Sequence, residues 1–281
     1  MSRRIVVSAV IVSGLVISTL AWTPSAQVPG SVVPPAAAAG GSQTPPTQPA
    51  ALPSCPELAT ALRAVSANDN RLKDWANLGR YREANHAVAR AEVVFLGDSI
   101  TDNWVQPRFG QFFPGKDYVG RGISGQTTPQ MLLRMRPDVL ALKPKAVIIL
   151  AGVNDISGLA TGPMTNEEIA GNLESMAQLA TTNGVKVVLS SILPTSNYHQ
   201  QNPNAVPKST LHPIERIREL NRWIRQYATD HGHPYADYYT AMADTKGTLR
   251  QDLSADDIHP TAAGYAIMAP IAQAAIDQAL R

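Results

Sequence analysis

The chain has 281 residues, with 24 lysines and arginines against 22 aspartates and glutamates, for a formal net charge of +2 at pH 7. Charged residues make up only 16% of it and hydrophobic ones 44%, which leaves no basic footprint for nucleic acid but ample material for a core. A single cysteine, Cys55, excludes an internal disulfide.

Met1-Ser2-Arg3-Arg4 is a short basic start, and the run from Ile5 to Trp22 is apolar and uncharged. Residues 1–22 read as a secretory signal peptide, with Ser18 and Ala21 suited to a cleavage site. An uncleaved signal anchor is the alternative, because the run approaches the ~20 residues that span a bilayer. Either way the rest is expected outside the cytoplasm, secreted or held at the cell envelope. Residues 23–56 are rich in Pro, Ala, Gly, Ser, Thr and Gln, and are expected to form an extended linker, because such a composition buries too little apolar surface to offset its ordering entropy. Leu52-Pro53-Ser54-Cys55 lies too far from the apolar run to act as a lipidation box. Residues 57–281 suffice for one domain.

Within that domain Leu72, Trp75, Leu78 and Tyr81 recur every three residues, predicting a surface helix over 70–90. Apolar strands and amphipathic helices then alternate. Strands are expected at Val93–Leu96 and, briefly, at Tyr118-Val119, followed by a helix over 129–142. A strand at Ala146–Leu150 precedes a helix opened by the capping box Thr165-Asn166-Glu167-Glu168. A strand at Val185–Leu189 leads into the polar loop 194–211. A helix carrying Ile214, Ile217, Leu220, Ile224 and Tyr227 stops at Gly232, and a short segment at Tyr235-Ala236 precedes a last helix over 260–280. Pro260 suits the first position of that helix. The strands are nearly all apolar, which points to a mostly parallel sheet covered on both faces. The expected fold is a three-layer α/β/α sandwich of flavodoxin-like type.

Chemistry concentrates at three breaks in this pattern and one late turn. Gly97-Asp98-Ser99 ends the first strand sharply, leaving a serine where open α/β sheets place ligands. A serine hydroxyl needs a base to take its proton, and the base needs an acceptor on its other ring nitrogen. Asp256-Asp257-Ile258-His259-Pro260 supplies a histidine with an aspartate three residues before it. The alternative is that Asp256 and Asp257 merely cap the last helix. The turn around Gly125, and Asn154 after its strand, can stabilise an oxyanion. No Gly-x-Ser-x-Gly elbow occurs, which argues against the common α/β-hydrolase fold. No His-Glu-x-x-His run or Cys/His cluster suggests a metal, and no cofactor is expected. Asp98 is expected to bond the loop amides, and Trp104 either to line the cleft beside the serine or, the preferred reading, to belong to the core.

In their order, the blocks Gly97-Asp98-Ser99-Ile100, Gly122-Ile123-Ser124-Gly125-Gln126-Thr127, Gly152-Val153-Asn154-Asp155 and Asp256-Asp257-Ile258-His259-Pro260 resemble the SGNH or GDSL-type hydrolases. Ile100 stands where the name-giving motif has leucine, and Gly120 where an asparagine often precedes Arg-Gly. The resemblance implies Ser99 as nucleophile, His259 as base and Asp256 as its orienter. It also implies an oxyanion hole from Ser99, Gly125 and Asn154, and the activity of a serine esterase.

Gly120-Arg121-Gly122-Ile123-Ser124-Gly125 also matches a dinucleotide-binding pattern, with Asp138 placed like a ribose-binding acid. A nucleotide-dependent oxidoreductase is therefore a competing reading, and a non-catalytic carbohydrate-binding relic of the fold another. The pattern follows the second strand and not the first, and Pro129 delays the helix that would receive a pyrophosphate. The polar loop 194–211 suits a sugar or another polar alcohol better than a fatty chain. The expected substrates are short-chain, chiefly acetyl, esters of polar or carbohydrate alcohols, with a lysophospholipase- or thioesterase-like activity as the alternative.

Overall fold

The computed structural model describes residues 72–159 and 161–281 and scattered positions from 56 to 63; the expected signal segment, linker and Cys55 lie outside them. The described residues form one compact unit. Its elements, in order, are α1 (Arg82–Ala87), β1 (Val93–Gly97), α2 (Ser99–Trp104), β2 (Tyr118–Gly122), α3 (Thr128–Asp138), β3 (Ala146–Leu150), α4 (Val153–Ser157), α5 (Asn166–Thr182), β4 (Lys186–Ser190), α6 (Lys208–Leu211), α7 (Ile214–Asp230), β5 (Tyr235–Ala236), α8 (Tyr238–Met242) and α9 (Ala262–Ala279).

The five strands pair in parallel in the order β2-β1-β3-β4-β5. Successive side chains of a strand point to opposite faces, and the two cores follow that alternation. Val94, Leu96, Val147, Ile149, Val187 and Leu189 face one layer, packed with Met131 and Met135 of α3, Leu173 and Met176 of α5, and Leu220 and Ile224 of α7. Val93, Phe95, Ile148, Leu150 and Val188 face the other, packed with Trp104 of α2 and with Tyr265, Met268 and Ile276 of α9. The fold is therefore the expected three-layer sandwich with a parallel sheet, and its strand order is the flavodoxin-like one. Trp104 is a core residue, stacked on Tyr265 with ring centroids 5.2 Å apart.

Several local expectations are corrected. Residues 74–81 are turns lying between the helical residues Leu72-Lys73 and the helix Arg82–Ala87, not one continuous helix. Asp74 accepts hydrogen bonds from the Leu78 and Gly79 N–H groups, and Asn77 takes a left-handed φ of 53°. A strict period of three drifts around a helix of 3.6 residues per turn, so Leu72, Trp75 and Leu78 never shared a buried face and are exposed. β2 runs five residues and not two. The helix expected over 129–142 ends at Asp138, and Leu140–Leu142 forms a separate 3₁₀ turn. Loop 194–211 closes with the short α6. The last helix starts after Thr261, whose hydroxyl accepts from the Gly264 N–H, so Pro260 lies before its cap and bridges to Ser254.

The glycines of the supposed dinucleotide pattern serve close packing. A Cβ on Gly122 would lie 2.1 Å from the Asp102 backbone nitrogen of α2, and one on Gly120 would lie 2.2 Å from Val105 Cγ1. Asp138, the supposed ribose acid, is buried and holds Arg134 at 3.3 Å and Asn85 Nδ2 at 2.8 Å.

Arg134, in α3, is fully buried. Its Nη2 donates to the Gly97 carbonyl and its Nη1 to the Arg121 carbonyl, each at 2.7 Å, and its Nε donates to Gln126 Oε1. One guanidinium thus joins the ends of β1 and β2 to the turn that follows β2. Arg134→Leu is expected to lower unfolding free energy by about 3–5 kcal/mol, the usual cost of stranding one partner of a buried ion pair, here Asp138. Urea unfolding measures this, and a loss near zero would show that these ends need no such tie.

Candidate active site

Gly97, Gly122 and Leu150 lie level across the sheet, with Gly97 paired to both others. The chain leaves each strand within a few residues: Ser99 two past Gly97, Gly125 three past Gly122, and Asn154 four past Leu150. Parallel register therefore delivers all three to the carboxyl edge, at the point where the strand order reverses.

Ser99 opens α2, so its backbone N–H is among the first-turn donors that a helix leaves unsatisfied. Asp98 is the N-cap, its Oδ1 accepting from the Ile100 N–H at 2.9 Å. Its Oδ2 is buried without a hydrogen-bond partner, and burial pushes this carboxyl up to about 6.

Across the cleft, Asp256 shapes its own turn: Oδ1 accepts from the N–H of Ile258 at 3.1 Å and of His259 at 2.8 Å. His259 Nδ1 lies 2.6 Å from Asp256 Oδ2, and Nε2 lies 2.8 Å from Ser99 Oγ. Asp256 and Asp257 do not cap the last helix, since Thr261 does. Bonding to Asp256 raises the His259 imidazole above its ordinary 6.5, assisted by the charges of Asp256 and Asp98; burial and Lys208 oppose it. Partial burial favours the neutral form of Asp256, but the hydrogen bonds from the His259 side chain and backbone outweigh it and hold the carboxyl below its usual range. With Nδ1–H donating to Asp256, Nε2 is left to accept from the serine hydroxyl. That is the tautomer proton abstraction requires.

The turn after β2 is braced from three sides. Ser124 Oγ donates to Asp102 Oδ2 at 2.7 Å, and the Gln126 N–H to the Ile123 carbonyl at 3.2 Å. Gln126 Nε2 donates to the Ala76 carbonyl at 2.7 Å. Between them Gly125 takes φ 79°, a left-handed conformation that favours glycine. Asn154 is buried, and one N–H of its amide donates to the Gln126 carbonyl at 2.9 Å. An amide carries two such donors, so the second remains for a ligand. Asp155 next to it accepts from the Thr128 N–H at 2.8 Å and from the Thr128 hydroxyl at 2.5 Å, fastening α3 to the end of β3.

All five residues singled out from the sequence thus lie at this edge or in the turn that reaches over it. Reasoning from the sequence assigned no role at the site to Arg134, Gln126 or Asp257. The i,i+4 pair Arg134 and Asp138 was a visible signal for the first, but nothing local marks a guanidinium as buried. Among the described residues no group of three or more His, Cys, Asp or Glu side chains could hold a metal ion.

The model of the GDSL-like lipase/acylhydrolase family matches residues 95–267. An acetylxylan esterase of Geobacillus stearothermophilus is 28% identical over 207 residues, 63% of this chain and 90% of that protein. An uncharacterized lipoprotein of Bacillus subtilis is 34% identical over 118 residues, 37% of this chain and 49% of the relative. The crystal structure of a GDSL-like lipase from Bacteroides thetaiotaomicron superposes with a TM-score of 0.64 at 38% identity, covering 73% of this chain and 99% of that one. A family match running through more than half of the chain, on a fold shared almost end to end with such a lipase, leaves one conclusion: the protein belongs to the GDSL-like lipase/acylhydrolase family and is an ester hydrolase.

Proposed function

We propose that the protein is an exported serine esterase that removes short acyl groups, chiefly acetyl, from polar or carbohydrate alcohols through an acyl-Ser99 intermediate. The observation that carries the chemistry is the unbroken line from Asp256 Oδ2 through both nitrogens of His259 to Ser99 Oγ. Ser99 Oγ attacks the ester carbonyl carbon while its proton passes to His259 Nε2. Asp256 and the buried Asp98 offset the positive charge that forms on the ring. The carbonyl oxygen, now negative, is received by the N–H groups of Ser99 and Gly125 and by Asn154 Nδ2. Collapse breaks the carbon–oxygen bond to the alcohol, which leaves with the proton from His259. Water then repeats the sequence on the acyl-serine, releasing the carboxylic acid and restoring Ser99.

The acetyl and carbohydrate parts of the reading rest on the polar rim and on the likeness to an acetylxylan esterase. Tyr198 donates to Asp244 at 2.7 Å and Asn197 to Ser209 at 2.7 Å, so the rim 194–211 presents amides and hydroxyls in fixed positions. Export rests on residues 1–22 and on the lipoprotein among the relatives. A second reading, hydrolysis of lipid acyl chains, is favoured by Leu159. That side chain is 64% exposed, and its Cδ2 lies 3.6 Å from where a Cβ on Gly125 would be.

Ser99→Ala is expected to reduce turnover of a nitrophenyl acetate to background and abolish labelling by a fluorophosphonate, with the thermal melt unchanged. Undiminished turnover would overturn the acyl-serine reading. Asn154→Ala is expected to lower kcat by about 10²–10³-fold, the usual loss for one oxyanion donor, with KM little changed. A loss confined to KM would make Asn154 a ground-state substrate contact instead. An acyl-chain series separates the two substrate readings. A tunnel for lipid would gain roughly 0.8 kcal/mol for each buried CH₂. A maximum at acetyl is expected, and one at about eight carbons or longer would favour the lipid reading.

A further inference from the structure

We propose that Asp257 is a positioning residue: its buried side chain latches the tip of the turn that carries Asp256 and His259 to the segment leaving β4. This rests on the reading of His259 as the base.

Asp257 takes φ 73°, a left-handed conformation that a non-glycine residue adopts only at some cost, and it is buried although its neighbours Ala255 and Asp256 are exposed. That conformation turns its side chain inward, against segment 196–199. Its Oδ1 accepts from the Ser196 hydroxyl at 2.5 Å, and the His199 N–H reaches Oδ1 at 3.1 Å and Oδ2 at 2.9 Å. Its backbone carbonyl accepts from the Ser196 N–H at 3.1 Å. The segment is itself anchored: the Ser191 N–H donates to the Ala236 carbonyl at 3.0 Å. The Asn221 side chain holds both the N–H and the carbonyl of Ile192.

The turn is otherwise self-contained. Ser254 bridges to Pro260 at its base, with Ser254 Oγ donating to the His259 carbonyl at 2.8 Å. The remaining bonds of its tip, from the N–H groups of Asp256, Ile258 and His259, stay inside the turn. Among the described residues, the tip is hydrogen-bonded to the rest of the domain only through Asp257 and through His259 to Ser99. The pairing of Asp256 with His259 is thus local, whereas the distance from His259 to Ser99 depends on where the tip is held. A misplacement near 1 Å can cost a large factor in rate, and it acts on the chemical step and not on substrate affinity.

Asp257→Gly removes the carboxylate and relieves the left-handed backbone, so the fold should survive; Ser196→Ala removes one donor from the other side. Turnover of a nitrophenyl acetate is expected to fall about tenfold in kcat in Asp257→Gly, with KM within about twofold. Ser196→Ala is expected to lose less, and the double variant no more than Asp257→Gly alone, because both disable the same latch. The pH profile separates position from charge. Activity requires neutral His259, so kcat/KM rises with pH through a midpoint above 6.5. Among the charges facing the ring, namely Asp256, Asp98 and Lys208, Asp257→Gly removes none, so its midpoint should stay. Asp256→Asn removes the anionic partner and should lower it. Unchanged kcat, an additive double variant, a loss confined to KM or a moved midpoint in Asp257→Gly would each overturn the latch. Full activity in Ser99→Ala would instead overturn the reading beneath it.

Discussion

The geometry of the site depends on a cation without access to water. Arg134 spans the carbonyls of Gly97 and Arg121, the side chain of Gln126 and the carboxylate of Asp138. A guanidinium offers five donors in a rigid fork, so a single side chain can satisfy acceptors that diverge from two strands and a turn. Gly97 precedes the serine by two residues, and Gln126 follows Gly125 directly. The charge therefore fixes the strand before Ser99 relative to the turn around Gly125, the proposed oxyanion turn.

Two kinds of constraint meet above that cation. The proposed nucleophile and oxyanion donors hang from strand ends whose spacing is set by the sheet. The proposed acid and base come on a turn that organises itself around Asp256, 160 residues further along the chain. Chemistry requires the two to register to within fractions of an ångström. Contacts such as Tyr265 to the Ile100 carbonyl, at 2.7 Å, join α9 to α2 and bring these two parts together.

Much of this was legible in the residues. β1 and β3 are unbroken apolar runs, and nothing competes with that signal. β2 was underread because Gly120, Arg121 and Gly122 look unlike a strand. Their identity is dictated by the approach of α2, and Arg121 survives there because Asn85 Oδ1 accepts from its Nε and its guanidinium lies 4.7 Å from the Tyr81 ring centroid. The expected helix was misread because the Asp74 side chain and the left-handed backbone of Asn77 build turns that periodicity does not register. At the site, Asp256 and His259 are visible as a local spacing, and their juxtaposition with Ser99 was inferred from what a serine hydroxyl requires and from the resemblance of four blocks. Asp257 could be read only as a candidate helix cap: its partners are 58 and 61 residues away, and aspartate in a left-handed turn leaves no pattern of its own.

The 160-residue separation between Ser99 and His259 has a consequence for how the protein comes into being. A chain emerging from the ribosome presents the serine early, on a strand whose neighbours can already pair. The histidine arrives only with the final turn, immediately before α9, and contacts of such long range close late in folding. On the proposed mechanism, the serine has no base until that helix docks and behaves as an ordinary alcohol. Reactivity would thereby be withheld from partly made or partly folded forms of the chain, and the appearance of activity would itself report that the turn has docked.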